Sequence, residues 1–335
     1  MADIDRVLRS NLKLRHLQLL VALDQFRHLG RAAQFLSLTQ PAVSKTLAEI
    51  ERLFGLPLFE RSTRGTEPTP QGASVVRFAR GVLADFERTR DELAAVAAGA
   101  QGRVRVGMMV VASRWLAAAV QAFKQRSPQA TVLVEEGDLL RLLPRLRLGE
   151  LDLIAGRLEP GYAAPDLVTE ALYQEPMVLV VAPGHALATL PGRRRPRWAD
   201  VAALPCVLPP PHASLRVKLD QQFHRHGLHP PVDVIESASF AAQLTFVHER
   251  GAVGVLARSV ALHAQGQGLL QVLALPVDVE LPPVGLITLR GRTASPPAQQ
   301  LLQALRASAT AGRGGPQGLQ PLNLLLPVIN SRVAS

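Results

Sequence analysis

The sequence predicts a small helical N-terminal domain with a helix-turn-helix and a hairpin wing, then a long helix, then a larger α/β domain. Three observations carry this. Leu29 to Ala48, LGRAAQFLSLTQPAVSKTLA, reads as helix, tight turn and second helix. Positions 75, 79, 82, 86, 89, 93 and 96 carry Val, Ala, Val, Phe, Thr, Leu and Val in alternating steps of four and three, the spacing of a helix-pairing seam. Beyond Gly102, short β-branched runs alternate with amphipathic helical patterns.

The elements follow in order. Leu14 to about Arg27 is expected to be a first helix with Leu17, Leu20 and Val21 facing inward. Ala32 and Ala33 are small enough for two helices to cross closely, and Thr39 offers an N-cap oxygen to the next helix. In that helix Val43, Leu47, Ile50 and Phe54 recur on one face. Gln40, Pro41, Ser44 and Lys45 fall on the other side near the helix start, where base edges and phosphates would be met. Gln40 suits adenine, Ser44 a base or phosphate, and Lys45 a phosphate or guanine; Pro41 shapes the first turn, and Arg31 is a phosphate candidate. RSTRGTE (Arg61 to Glu67) has hairpin-tip composition, and places Arg61 and Arg64 where a wing would meet backbone or minor groove; an ordinary solvated loop is the alternative.

Thr69 and Pro70 then make a cap and first helical position for the long helix, which at 1.5 Å per residue would span on the order of 40 Å. In the C-terminal part, RVRVGMM, ATVLVEE, LDLIAG, MVLVVAP, VDVIES, AVGVLA and VGLITL read as strands. Helical patterns fall near 114–126, 139–148, 215–226, 240–250 and 298–309. Several strands are apolar throughout, so a parallel sheet covered by helices on both faces is expected. Pro144 is expected to kink its helix. The Gly/Pro-rich start of the tail from 311 to 335 predicts a linker, followed by an apolar LNLLLPVI.

Taken together, LRHLQ (Leu14 to Gln18), RAAQFL, TQPAVSKTLAEIE and LFGLPLFER resemble the N-terminal domain of LysR-type transcriptional regulators, over about sixty residues. EPMVLVVAPGHAL and PVGLITLRGR resemble a subgroup that includes regulators of galactose-type sugars and of aromatic (protocatechuate, β-ketoadipate) catabolism. The resemblance implies a winged helix-turn-helix over 12–70, a linker and dimerisation helix over 71–101, and an effector-binding domain over 103–310. It also implies that this last domain is two-lobed and periplasmic-binding-protein-like, lobe 1 being 103–168 with 276–310 and lobe 2 being 169–275. Implied partners are double-stranded promoter DNA, a small-molecule effector such as an aromatic or sugar-derived acid, RNA polymerase, and further copies of the chain as a dimer of dimers. Many relatives carry Arg at Lys45, and often Ser or Thr near Val111.

Ligands of such folds meet strand C-termini and helix N-termini at the cleft. This points to Val111, Ser113, Asp138, Arg157, Ser214, Ser237, Ser239 and Phe240. Asp138 has a competing role as the cap of the helix from Leu139, and Arg157 a competing role in an internal ion pair.

Composition bounds the alternatives. The net charge is +10, but residues 1–70 hold only ten Lys/Arg against seven Asp/Glu, so DNA binding rests on patterning rather than bulk charge. The single cysteine, Cys206, excludes an intrachain disulfide, a two-cysteine redox switch and a Cys-rich zinc site. His224, His226 and His229 lack metal-ligand spacing, RRRPR (Arg193 to Arg197) reads as a solvated loop, and no catalytic constellation is visible, so neither cofactor nor enzyme activity is expected. The N-terminus lacks a signal-peptide core and no segment approaches the roughly 20 apolar residues of a membrane span, which leads to the expectation of a cytoplasmic protein. A cytoplasmic small-molecule-binding protein without a transcriptional role is the alternative reading.

Overall fold

The computed structural model describes residues 11–62, 65–97, 102–190 and 194–311, with Val7 and the pair Gln320–Pro321. Two compact units divide at Gly102/Arg103.

In the N-terminal unit, α1 (Leu14–Phe26), α2 (Leu29–Phe35) and α3 (Gln40–Phe54) are followed by the hairpin β1 (Phe59–Ser62) and β2 (Gly65–Pro68), then α4 (Pro70–Ala97). Local chemistry sets each boundary. His28 Nδ1 accepts from Gly30 N at 3.0 Å and so caps α2. Thr39 Oγ1 accepts from Ala42 N at 3.4 Å, with Pro41 in the first turn of α3, and Gly55 ends that helix in the left-handed region. Leu19, Leu20, Leu23, Ala32, Ala33, Val43, Leu47, Ile50 and Phe54 form one buried core. Val21, expected inward, is only half-buried; Leu19 and Leu23 hold that face with Leu20.

Thr69 caps α4 through Gly72 N at 3.0 Å; its hydroxyl donates to Pro57 O at 3.0 Å and its N–H to Leu58 O. The helix passes so close to that carbonyl that a Cβ on Gly72 would lie 1.8 Å from Leu58 O. At 28 residues, α4 is about 42 Å long. Its expected seam divides: Ala79 is buried and Val75 partly buried against the core of its own unit, joined there by Val76. Farther along, Phe86 and Leu93 stand 52% and 68% exposed. The side chain of Val96 lies outside the described part.

The C-terminal unit has two sheets. The first, in the order β13-β6-β12-β5-β3-β4, contains β3 (Arg103–Met108), β4 (Thr131–Glu136), β5 (Leu153–Arg157), β6 (Leu167–Gln174), β12 (Val284–Leu289) and β13 (Gln320–Pro321). The second, in the order β11-β7-β10-β8-β9, contains β7 (Met177–Val181), β8 (Cys206–Leu208), β9 (Val234–Glu236), β10 (Val253–Ala257) and β11 (Gln271–Val272). On the first sheet lie α5 (Ser113–Arg126), α6 (Leu139–Leu148) and α11 (Pro296–Ala311); with the second go α7 (Trp198–Ala202), α8 (Ser214–Arg225), α9 (Phe240–Arg250) and α10 (Arg258–Gly266). Strand β5 is buried throughout because its two faces enter different cores: Leu153 and Ala155 pack with Trp115 and Phe123, while Ile154 packs with Leu142 and Leu146.

Two expectations need correction. The sheets are mixed rather than parallel: β12 runs antiparallel to β5 and β6, and β7 antiparallel to β10, because the chain leaves and re-enters lobe 1 by direct crossings instead of βαβ units. Those crossings also lie later than 168/169 and 275/276. Strand β6 still belongs to the first sheet, so the outward crossing is Glu175–Pro176. Val277, Val279 and Leu281 pack in the second lobe's core, so the return is at Pro282–Pro283. Helix α6 includes Pro144 among its ten residues.

Candidate functional site

In the N-terminal unit the apolar stripe of α3 is fully withdrawn, which turns the opposite flank outward. Thr39, Gln40, Pro41 and Lys45 are exposed and Ser44 is half-buried. Arg31 is exposed on α2, and a Cβ placed on its neighbour Gly30 would lie 3.5 Å from Gln40 Oε1, so α2 and α3 offer one continuous polar edge. Arg61 lies in β1 with its side chain outside the described part, and Arg64 lies outside the described residues.

The wing is fastened by side chains that periodicity did not reveal. Glu51 Oε1 accepts from Leu58 N and Phe59 N at 2.8 and 3.1 Å, fixing the entry to β1. Asp24 pairs with Arg27 and with Arg80 of α4, each at 2.8 Å, while Arg27 also pairs with Glu67 of β2. His16 is buried in α1; Lys13 N donates to its Nδ1, its Nε2 has no partner among the described residues, and burial lowers its pKa below the usual value.

In the C-terminal unit a cavity of about 350 Å³ opens between the lobes. Apolar walls come from Met109, Val110, Val111, Met177, Pro209, Leu215 and Val255, and polar groups from Glu136, Asp138, Arg141, Arg157, Glu159, His212, Ser239 and Gln243. Of the expected effector residues, Val111, Asp138, Arg157 and Ser239 line it. Asp138 Oδ1 also accepts from Arg141 N at 3.0 Å, the capping role. Ser113 and Phe240 line a neighbouring cavity of about 280 Å³ with Glu136 and His263. Ser214 and Ser237 serve the rim. Ser214 Oγ donates to Glu159 Oε1 at 2.8 Å, a direct bond from lobe 2 to lobe 1, and Ser237 Oγ accepts from Ser239 N at 3.1 Å.

Arg157 lines the cleft but makes no direct ion pair among the described residues. Its guanidinium, buried at 5% exposure, donates to Pro282 O at 2.6 Å and to Glu175 O at 3.1 Å rather than pairing directly with a carboxylate. Burial lowers its pKa, with Glu159 and Glu175 opposing that shift. Glu175 is itself pushed up by burial, and Tyr173 likewise. Gln243, missed by sequence reasoning, is 4% exposed, and its Oε1 accepts from Val255 N at 3.2 Å. Its only signal was a polar residue four positions before Val247 on the inner face of α9. Glu136, Glu159 and His212 carried no signal, because loops and strand ends have no period to break, and Arg141 reads as an ordinary polar position in the first turn of α6.

The other candidates fall away from the cleft. Cys206 is buried in the lobe 2 core, where burial pushes its thiol up to about 12, an unreactive state. His226 stacks on Trp198 and His224 lies edge-on to His229. Among the described residues no group of three metal-ligating side chains converges. Arg193 lies outside the described residues; Arg194 and Arg197 pair with Asp200.

A helix-turn-helix with an outward polar flank, joined in one chain to a two-lobed domain with a lined cavity, defines a DNA-binding regulator that carries a small-molecule receptor. The chain belongs to the LysR family. Residues 14–73 match the family model "Bacterial regulatory helix-turn-helix protein, lysR family" and residues 97–310 match "LysR substrate binding domain". It is 35% identical over 305 residues to the HTH-type transcriptional regulator GbpR of Azospirillum brasilense, covering 90% of this chain and 88% of that protein. It is 30% identical over 302 residues to PcaQ of Agrobacterium fabrum (strain C58 / ATCC 33970), covering 90% and 96%. In fold it is similar to full-length CbnR crystallised with its target DNA, at a TM-score of 0.65 and 21% identity over 89% of this chain and 100% of that one.

The protein is therefore a transcriptional regulator with an effector-binding domain and not an enzyme, which sets aside a binding protein without a transcriptional role. Among the described residues no helix is long and apolar enough to cross a membrane.

Proposed function

We propose that this regulator acts in the cytoplasm on a two-fold promoter site, with α3 of paired protomers in successive major grooves. Gln40 and Ser44 read base edges, while Arg31, Thr39, Lys45, Arg61 and Arg64 hold the phosphate backbone and Pro41 sets the approach. The single observation behind this reading is the outward polar flank of α3 above a fully buried apolar stripe. The exposed Phe86 and Leu93 of α4 support pairing of linker helices, and a dimer of such dimers is the assembly proposed. Domain limits at 12–70, 71–101, 103–310 and 311–335 belong to the same proposal, with the lobe boundaries moved to the two crossings.

The effector is a small hydroxylated acid, sugar-derived or aromatic. Its acid group meets Arg141 or Arg157 and its hydroxyls donate to Glu136 and Asp138, all four of which line the cleft. Ligand-driven closure alters protomer packing and, through it, DNA spacing and contact with RNA polymerase; this requires the ligand to favour one packing over the other.

Fluorescence anisotropy on DNA from upstream of the chain's own gene tests the reading. Gln40→Ala with Ser44→Ala should weaken binding at least tenfold at fixed salt, as expected for lost base contacts worth about 1–3 kcal/mol each. Undiminished affinity in that double variant would remove α3 as the reader.

A further inference from the structure

Three buried polar groups do more than line the cleft or fill a core: Gln243, His16, and the cluster around Arg157. The last is carried furthest by its geometry. Arg157 ends β5 on the floor of the cleft, yet its bonds run to the two places where the chain passes between lobes. One Nη donates to Pro282 O on the return crossing; the other donates to Glu175 O on the outward crossing and lies 3.6 Å from Met177 Sδ. Glu175 in turn accepts from Ser259 N through Oε1 at 2.9 Å, which fastens the same crossing to the first turn of α10 in lobe 2.

The crossing is not fully satisfied. Tyr173 Oη, two residues before it, and Glu175 Oε2 are both buried without a hydrogen-bond partner among the described residues. Buried polar atoms are ordinarily paired, so two orphans on one connection mark a place where a second arrangement could meet demands that this one leaves open. Arg157 has five N–H groups and only part of them is committed; Nε–H has no acceptor among the described residues.

We infer that Arg157 is the positioning residue of the hinge: one guanidinium grips both inter-lobe crossings while facing the cleft, so an acceptor group entering the cavity changes hinge geometry by drawing on the same N–H groups. This deepens the effector-binding reading and rests on it for its biological sense. The hinge test itself needs no effector. Loss of every effector response would therefore count against sensing and leave the hinge assignment standing.

The experiment uses the full chain, spin-labelled at Leu140→Cys on α6 and Val232→Cys in lobe 2, both exposed positions, and diluted with unlabelled chain. Pulsed dipolar spectroscopy reads the inter-lobe distance. Arg157→Ala should at least double the width of the distribution. Millimolar methylguanidinium, the deleted group itself, should restore the narrow distribution, and ammonium should not. Arg157→Lys keeps the charge but cannot fork to both carbonyls, so its width should fall between the two; it also supplies the reading should the alanine variant fail to fold. A wild-type width in both variants overturns the assignment. So does a broadened distribution that methylguanidinium leaves unchanged, since that marks general loosening rather than a lost grip.

Discussion

The two units differ in where their polar groups lie. In the reader the withdrawn positions of α1, α2 and α3 are almost all apolar, and the groups proposed to meet DNA stay outside. In the effector-binding domain, Arg157, Glu175 and Gln243 are buried around the cleft and its hinge. A convex surface that recognises a large polyanion works in water, where charge is cheap to keep and recognition is set by which side chains project. A receptor cleft works inside the protein, where each polar group must be hydrogen-bonded or leave an unmet demand. Gln40 and Lys45, exposed on α3, show the first regime; Tyr173 Oη and Glu175 Oε2, buried without a partner among the described residues, show the second.

The sharpest break between the units comes from two glycines pressed against carbonyls. A Cβ on Gly72 would lie 1.8 Å from Leu58 O in the reader, and one on Gly285 would lie 2.0 Å from Glu170 O in the first sheet. Backbone on backbone leaves nothing flexible to yield, so each change to alanine should cost more than ~3 kcal/mol. Gly72→Ala should abolish DNA binding while effector-domain melting persists in calorimetry. Gly285→Ala should do the reverse to the melting profile. Near-wild-type anisotropy for Gly72→Ala would show that the start of α4 does not need that approach.

A smaller effect separates the units by pH. Burial places the His16 pKa in the folded reader below its unfolded value of 6.5. Above that value both states are neutral and pH has no leverage here. As pH falls through it, the unfolded chain takes up the proton and the folded reader resists, so stability drops. The reader's melting temperature should therefore decline between about pH 7.5 and pH 5.5. His16→Asn, which can still accept from Lys13 N, should flatten that decline; an equal decline in the variant would assign the effect to other groups.

How much was legible follows from the same contrast. The core of α3 and its caps were readable because helix periodicity and capping act within a few residues: Val43, Leu47, Ile50, Phe54 and Thr39 lie where spacing placed them. The cleft was readable only as segments. Val110–Ser113 and Ser237–Phe240 could be placed at strand ends, but Gln243, Glu159 and Arg141 join them through topology, which leaves no local pattern. Strand β6 escaped for a related reason. LVTEALYQ buries only Leu167 and Tyr173 and leaves exposed residues on both sides, so it lacks a clean alternation, and its partner β12 lies more than a hundred residues onward. The crossings were displaced with it.

The weakest predicted effect tests whether burial, rather than residue type, is what separates the regions. Arg306 of α11 meets Glu170 of β6 in a forked pair, Nε at 3.0 Å from both carboxylate oxygens and Nη2 at 2.9 Å from Oε2. That geometry is better than the contacts of Arg157, and the hydrogen bond to Glu170 holds the Arg306 pKa above its usual value. Yet the two side chains are 48% and 39% exposed, so water and salt screen most of the attraction. Glu170→Gln should cost less than ~1 kcal/mol in urea unfolding and less still at high salt. Arg157→Gln, which removes the donor from two carbonyls withdrawn from solvent, should cost more despite breaking a less symmetric set of bonds. If the order were reversed, pair geometry would outweigh desolvation in this fold, and the contrast between an outward-facing reader and an inward-facing receptor would lose its physical basis.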